Sequence, residues 1–563
     1  MRSPLPFRFR NRLETSRMVL YSALAGSLVG VVGALLLSGL DLAQDFLMGL
    51  AGYHPPSLPS RGGVLMAFEG NVRWWALLIL PVMVGISVWL YRPQHIDPLA
   101  ENIEHYHSGE SRPIQWGMQL RRILAGFLSV GAGVPLGREG MLLSVAQATA
   151  HLTSRFGSLS KSEARTILMA SSAAVLGVVF HAPLACAVII AEILYRRNEF
   201  EFEILMPAVL SSVAAYAVYG SLMGFSPLLD IPPVETPSYW SMPLYLLLGA
   251  VIAGMANVYL QAIRALRRNL RSLKINLLFV PVAGAVGVAL CSVFFDGTLG
   301  DGLGWLQLGM LGMLDDLSVY QHFMVRFMIT LMVSGTFMIG GYFTPQLVIG
   351  GFAGASLGAA INAVFPADPV NVLVFGLVGA AAFLSSTTNI PLGATLLVAT
   401  WSGEQILIPL VLSTFTAYAV GGVYSLYVEQ KNVRAESGAH ISNIVSEALS
   451  QPGPQDLMDL LRNQPVTVLQ GDTEQISEID VPTHWYDKTK DLIDLPESIL
   501  IFAIAREGKI LIPNNKTPFI EGDKVILIGE PPEVAAFKEM LAQQKETTSQ
   551  EAPETPSENG VVA

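Results

Sequence analysis

The sequence predicts an all-α polytopic membrane protein, made of many short, tilted or broken helices in an internal repeat, with a small α+β domain at its C-terminal end. Three observations predict it. Hydrophobic residues make up 52% of the 563 and charged residues only 14%, against about 25% charged in a soluble domain. Apolar segments follow one another from Val19 to Tyr424, and sparse charge over such a length marks a bilayer as the solvent. The parts of the first half then recur in order in the second. Charge divides the chain as well: 20 acidic and 9 basic residues lie from Gln451 onward, a balance of −11 that equals the net charge of the whole chain. Residues 1–450 are therefore close to neutral, and an acidic soluble tail is joined to a membrane body. An acidic tail argues against nucleic-acid binding.

The N-terminus is short and Arg-rich (Arg2, Arg8, Arg10, Arg12, Arg17) and leads into the apolar stretch Val19–Leu40. That stretch is longer than a signal h-region and has no clear cleavage site, so it reads as a retained first membrane helix. Further apolar segments lie near Trp75–Leu90, Ile123–Val134, Ile167–Ile193, Leu205–Tyr219, Leu244–Leu260, Leu277–Phe295, Phe323–Ile339, Leu347–Val364, Val372–Leu384 and Pro391–Tyr424. Several fall short of the roughly 20 residues of a full span. Short, Gly/Pro-interrupted pieces fit broken helices that line a protein-buried cavity. Basic clusters at the N-terminus and at Arg264–Lys274 place both in the cytoplasm by the positive-inside rule. The two cysteines, Cys186 and Cys291, lie in apolar text and suggest neither disulfide nor metal site.

The repeat is legible residue by residue. His181-Ala-Pro-Leu-Ala185 is similar to Asn389-Ile-Pro-Leu-Gly393, and each follows a run of small residues, Ala170–Gly177 and Gly379–Ser386. About 40 residues before each Pro-Leu pair lies a Gly-rich break, Gly137-Arg138-Glu139-Gly140 and Gly340-Gly341-Tyr342-Phe343-Thr344-Pro345. Paired breaks in corresponding places of two halves point to a midplane transport site. Arg138 and Glu139 are charges inside apolar text, which default to a functional reading. Being adjacent, they point about 100° apart on a helix and pair poorly. Helices starting at the two breaks would aim free amides and positive dipole ends at an anion. A carboxylate beside such a site can occupy it as a surrogate anion and leave when protonated.

On these motifs the chain resembles the CLC chloride channels and transporters over roughly residues 18–432. Residues 137–140 match the first four letters of that family's Gly-Arg-Glu-Gly-Pro signature, with Met141 in place of proline, and residues 340–345 match Gly-Gly-x-Phe-x-Pro. Glu163-Ala-Arg165 through Pro183-Leu-Ala185 also looks like the family's following helices. The resemblance implies an inverted repeat and a homodimer with one anion pathway per subunit. It implies voltage- or proton-gated anion transport, chloride first, either as proton-coupled exchange or as passive conduction. It implies Glu139 as the external gating and proton-transfer glutamate. It implies anion contacts at Gly137, Arg138, Gly140, Tyr342, Phe343 and Thr344, with a tyrosine hydroxyl at the central anion. Ser425-Leu-Tyr427 fits that tyrosine best, and Tyr424 is the competitor. The expected location is a multi-pass inner membrane position with both termini cytoplasmic. Apart from the transported chloride, no cofactor or metal is expected. No Walker loop or catalytic constellation suggests an enzyme.

Three departures bear on function. The family's Gly-Ser-Gly-Ile-Pro segment is missing, and the region reads His95-Ile-Asp97-Pro98-Leu-Ala-Glu101. Its absence leaves fluoride or nitrate as alternative substrates. The internal proton-transfer glutamate of typical exchangers aligns with Ile193, which makes the neighbouring Glu192 the candidate relay. Met141 alters the wall beside the gate. A transport-dead membrane receptor is the reading from another class, and the intact Glu139 and glycine breaks speak against it.

The tail follows a linker at 433–465. Strands are expected at Val466–Leu469, Ser498–Arg506, Lys509–Pro513 and Lys524–Gly529, with Glu507-Gly508 as a hairpin turn, and a helix at Pro531–Leu541. Gly522-Asp523 reads as a turn rather than a metal site. Residues 543–563 lack apolar periodicity and read as disordered. Asp494–Arg506, Ile510–Pro513 and Glu521–Gly529 resemble the C-terminal domain of potassium-conductance regulators, the RCK-C or TrkA-C type, over 466–542. That resemblance implies a dimeric cytosolic module sensing a small ligand, with nucleotides the first class to screen.

Overall fold

The computed structural model describes residues 7–56, 58, 76–92, 97–108, 115–197, 199–273, 276–421, 424–439, 475–482, 485–488, 493, 499–506, 509–511, 517–529 and 536–541. The chain forms two compact units, Met1–His440 and Ile441–Ala563.

Among its described residues the first unit contains sixteen α-helices. In order they are α1 (Phe7–Leu50), α2 (Ala76–Leu90), α3 (Pro98–Ser108), α4 (Trp116–Gly131), α5 (Glu139–Gly157), α6 (Lys161–Phe180), α7 (Pro183–Glu192) and α8 (Phe202–Met223). The second half has α9 (Met242–Ser272), α10 (Val280–Phe294), α11 (Leu303–Met310), α12 (Asp316–Gly335), α13 (Phe343–Val364), α14 (Val372–Thr388), α15 (Pro391–Ser402) and α16 (Leu407–Gly421). Among the described residues, six helices are long and apolar enough to cross a membrane. They differ in what surrounds them. The apolar window at Lys161–Phe180 is 83% buried in the protein and that at Phe202–Met223 only 39%. α6 is thus an interior helix, while α8 turns Met206, Val213 and Leu222 outward, where hydrocarbon is the natural solvent for them.

Two apolar segments of the sequence prove to be helix pairs. Ile167–Ile193 divides into α6 and α7, and Pro391–Tyr424 into α15, a 3₁₀ turn at Glu404–Ile406, and α16. The device that ends α6 recurs at the end of α14. His181 (φ 53°) and Asn389 (φ 60°) adopt the left-handed conformation, which His and Asn tolerate better than most residues. Two residues later Pro183 and Pro391 each open the next helix, at the position where a missing N–H matters least. A capping box of Ser160 and Glu163 starts α6, and the Asn371 side chain starts α14.

Residues 424–439 stay on the first unit and tie its halves together. The Leu426 amide donates to Thr387 O (2.8 Å) and Lys431 N to Leu194 O (3.2 Å). The Gln430 side chain donates to Ile193 O (2.7 Å) and Thr388 O (2.8 Å).

Among its described residues the second unit carries a four-stranded antiparallel sheet, β1 (Gln475–Asp480), β2 (Leu500–Arg506), β3 (Lys509–Leu511) and β4 (Lys524–Gly529), in the order β1-β4-β2-β3. Arg506 pairs with Lys509 across the hairpin, and Val525 lies between Ile479 and Ile504. Trp485, Ile501, Ile504, Phe519, Leu527 and Phe537 belong to its buried core. Residues 536–541 are helical. The expected strand at 466–469, the Glu507-Gly508 turn, most of the linker and the 543–563 segment lie outside the described residues. Gly522 has φ 86°, and Asp523 beside it accepts from Arg506 Nε and Nη2 (both 2.7 Å) and from the Ile520 amide (3.0 Å).

Candidate anion site

The two glycine breaks meet. Gly137 N–H donates to Gly341 O (2.8 Å) and Gly341 N–H returns a bond to Gly137 O (2.9 Å), an antiparallel bridge such as an inverted pair of segments makes. α5 and α13 each begin two residues past their bridging glycine. Their N-termini therefore converge, with free amides and positive dipole ends at one place. Contact is close enough to require glycine: a Cβ on Gly140 would stand 2.3 Å from Gly340 C and Gly341 N.

Glu139 lies at this junction and is fully buried. Its carboxylate accepts from the Thr344 amide (3.0 Å) and the Thr344 hydroxyl (2.9 Å). A carboxylate thus fills the N-terminus of α13, the seat that an anion would take. Arg138 points elsewhere. Its guanidinium lies 3.3 Å from Asp41 and 3.5 Å from Asp301, so it does not neutralise Glu139. A small cavity of about 20 Å³ reaches Thr344 and Arg138 between Asp41, His181 and Tyr219.

Phe343 and Tyr427 continue the line from the junction, with ring centroids 6.1 Å apart. Tyr427 is buried, and its hydroxyl donates to Asp97 Oδ2 (3.1 Å). Tyr424 is only partly buried and lies under the Arg264 guanidinium, 4.5 Å from it. Tyr342 turns its hydroxyl toward Arg267 (3.4 Å). The structure therefore gathers Gly137, Glu139, Gly140, Phe343 and Thr344 at one point, with Tyr427 next to it. The side chains of Arg138 and Tyr342 diverge from that point.

Asp97 is the site residue that sequence reasoning missed. It is 4% exposed, and its other oxygen, Oδ1, caps α3 by accepting from Leu99 N (2.8 Å). The signal available was Asp-Pro, an N-cap residue followed by proline at N1, in the region where the resemblance leads one to look for serine.

Glu192 is held in a different way. Its carboxylate accepts from Leu392 N (3.0 Å) and Gly393 N (2.7 Å), capping the first turn of α15. Ile193 is fully buried in the apolar core.

The chain is similar to known proteins. The voltage gated chloride channel family model matches residues 82–422, and the TrkA-C domain model matches 476–542. The voltage-gated ClC-type chloride channel ClcB of Escherichia coli (strain SMS-3-5 / SECEC) is 26% identical over 395 residues, 69% of this chain and 92% of that protein. The H(+)/Cl(-) exchange transporter ClcA of Vibrio campbellii (strain ATCC BAA-1116) is 25% identical over 430 residues, 74% of this chain and 88% of that one. The solved structure of a slow cyanobacterial Cl-/H+ antiporter superposes with a TM-score of 0.62 at 20% identity, covering 72% of this chain and 94% of its own. That of a CLC-type fluoride/proton antiporter gives 0.60 at 19%, covering 74% and 98%. With the family model spanning more than half its length, this chain belongs to the CLC family of anion-transporting integral membrane proteins, and it carries a TrkA-C domain after the membrane unit.

Proposed function

We propose that this protein exchanges a small anion, chloride first, for protons through the junction of α5 and α13, with Glu139 as gate and outer proton-transfer group. The observation that carries the reading is the Glu139 carboxylate seated on the Thr344 amide and hydroxyl. Anion and carboxylate compete for one seat. Protonation removes the charge that holds the carboxylate there, so each anion that enters favours a protonated, displaced Glu139.

Passive conduction is the second reading. It is favoured by Ile193, an apolar residue where the resemblance leads one to expect the inner acid, and by Glu192, whose oxygens are taken up by the α15 amides. Fluoride and nitrate belong in the same substrate test. The Arg264–Arg271 end of α9 supports a cytoplasmic location for that side of the membrane unit. The TrkA-C match supports a homodimer with a cytosolic, ligand-sensing tail, for which nucleotides are the first class to screen.

The test is flux from liposomes holding the full-length protein, with chloride and pH followed together. Glu139→Gln, which mimics the protonated gate, should abolish proton movement while anion flux remains. Proton transport unchanged in that variant removes Glu139 from the role. Absence of anion flux in every form points to the receptor alternative.

A further inference from the structure

We propose that Asp97 is a second, inner carboxylate gate: ionised, it holds the Tyr427 hydroxyl and fills the inner anion position, and protonated, it yields both to the anion. The proposal rests on the reading of the α5–α13 junction as the anion pathway. Its warrant is geometric. The Tyr427 ring lies tilted beside that of Phe343, the first residue of α13, and its hydroxyl donates to Asp97. The partner of the pathway's tyrosine is therefore itself an anion. An arriving chloride meets a like charge and a hydroxyl already donated elsewhere. A proton on Asp97 removes the charge and lets the Tyr427 O–H turn to chloride. Nothing but the proton moves onto the carboxyl oxygen, and it leaves again when the anion departs.

The two carboxylates have different neighbours. On the Glu139 side is Asp41 of α1, roughly 36 Å along that helix from Arg17 at 1.5 Å per residue, about the thickness of a bilayer. On the Tyr427 side, Arg264 donates to Ser425 O (3.1 Å), which ties this end to the basic cluster of α9. Asp97 thus bonds the same C-terminal segment that holds Ile193 O through Gln430, Ile193 being the residue that stands in place of the expected inner acid. Other ionisable groups bear on it from every direction: Glu139 of α5, Tyr427 and Glu429 of the C-terminal segment, and Tyr342 before α13, which Arg267 contacts in turn.

A helix cap alone would also account for a buried aspartate before α3. Asn caps a helix about as well as Asp, so Asp97→Asn keeps the cap and removes only the titration. Chloride binding to the purified full-length protein is measured by calorimetry between pH 5.0 and pH 7.5, in Glu139→Gln and in Glu139→Gln/Asp97→Asn. Removing Glu139's own titration leaves Asp97 to be read, and Glu429 is present in both. The single variant should bind chloride more weakly as pH rises. The double variant should stay flat and bind roughly tenfold or more tightly at pH 7.5. Asp97→Ser, which can also cap, should behave like Asp97→Asn. Coinciding profiles in the single and double variants, with chloride still bound, make Asp97 a cap only and leave the Glu139 reading intact. Loss of chloride binding in every form, with monodisperse protein of unchanged melting temperature, overturns both.

Discussion

Thr344 holds the Glu139 carboxylate, the proposed gate, with two bonds, one from its amide (3.0 Å) and one from its hydroxyl (2.9 Å). Thr344→Val keeps the shape and the amide and deletes the hydroxyl. A hydrogen bond to a charged group contributes about 1.5–3 kcal/mol, and each 1.4 kcal/mol is a factor of about ten. The seated carboxylate should therefore lose roughly 10–150-fold against its released state. Chloride efflux from liposomes at pH 7.5 should rise by up to that factor if departure of Glu139 limits the rate. At a pH low enough to protonate the gate, variant and wild type should converge, since the lost bond no longer opposes release. Thr344→Ser restores the hydroxyl and should stay near wild type. Efflux from Thr344→Val equal to wild type at pH 7.5, while Glu139→Gln accelerates it, would refute the idea that this seat holds the gate.

Four further outcomes are expected. Glu192→Gln keeps one acceptor oxygen for two α15 amides, so it should lower stability by about 1–3 kcal/mol, seen as a fall in Tm, with proton coupling retained. Lost coupling at an unchanged Tm would instead make Glu192 the relay. Gly140→Ala drives a Cβ to 2.3 Å from the Gly340–Gly341 backbone and should cost about 1–3 kcal/mol or more; normal Tm and flux would contradict the close approach of the two breaks. In the tail, burial acts to raise the Asp523 carboxyl, but the Arg506 and Ile520 bonds hold it below its usual range. That stability is full above the unfolded value of about 3.9 and is lost as pH falls through the lower folded value. Asp523→Asn should remove it and destabilise the fragment from residue 454 by about 2–4 kcal/mol, read by circular dichroism between pH 2 and pH 7. Truncation near Gly453 should leave a dimer that moves anions but no longer responds to a nucleotide that binds the tail; a response preserved in the truncated protein would locate the sensor elsewhere.

What the sequence made legible follows a physical rule. Glycine breaks and Pro-Leu pairs are local signals, and the junction built from them lies where those signals point. Helix division was harder. Apolar text runs on through His181 and Asn389, and only their left-handed conformation, with Pro183 and Pro391 behind them, ends one helix and starts the next. α3 and α11 went unforeseen. The first is too polar for a hydropathy scan, with Glu101, Glu104, His105 and His107 in it, and the second spans only Leu303–Met310. β1 was missed because Gln475–Asp480 carries isoleucine at 476 and 479, which breaks strict alternation. The Asp97–Tyr427 bond joins residues 330 apart. Nothing local to either residue announces it.

Among the described residues, the cations near the junction are arranged so that none faces the seat as a full charge. Arg138, one residue from Glu139, lies between Asp41 and Asp301. Arg267 gives its guanidinium to Ser334 O (2.8 Å) and to the Tyr342 hydroxyl. Arg264 is committed to Ser425 O and the Tyr424 ring. What remains at the junction of α5 and α13 is the partial charge of two helix N-termini, each equivalent to about half an elementary charge. A whole positive charge in a low-dielectric interior would hold a halide far more strongly, and an ion held that way leaves slowly. Partial charges let an anion bind and go, and they let a side-chain carboxylate take the same place. On the proposed function, a seat weak enough to release chloride is also weak enough for Glu139 to leave on taking up one proton. Placing a guanidinium at the seat would be expected to tighten chloride binding and slow its flux together.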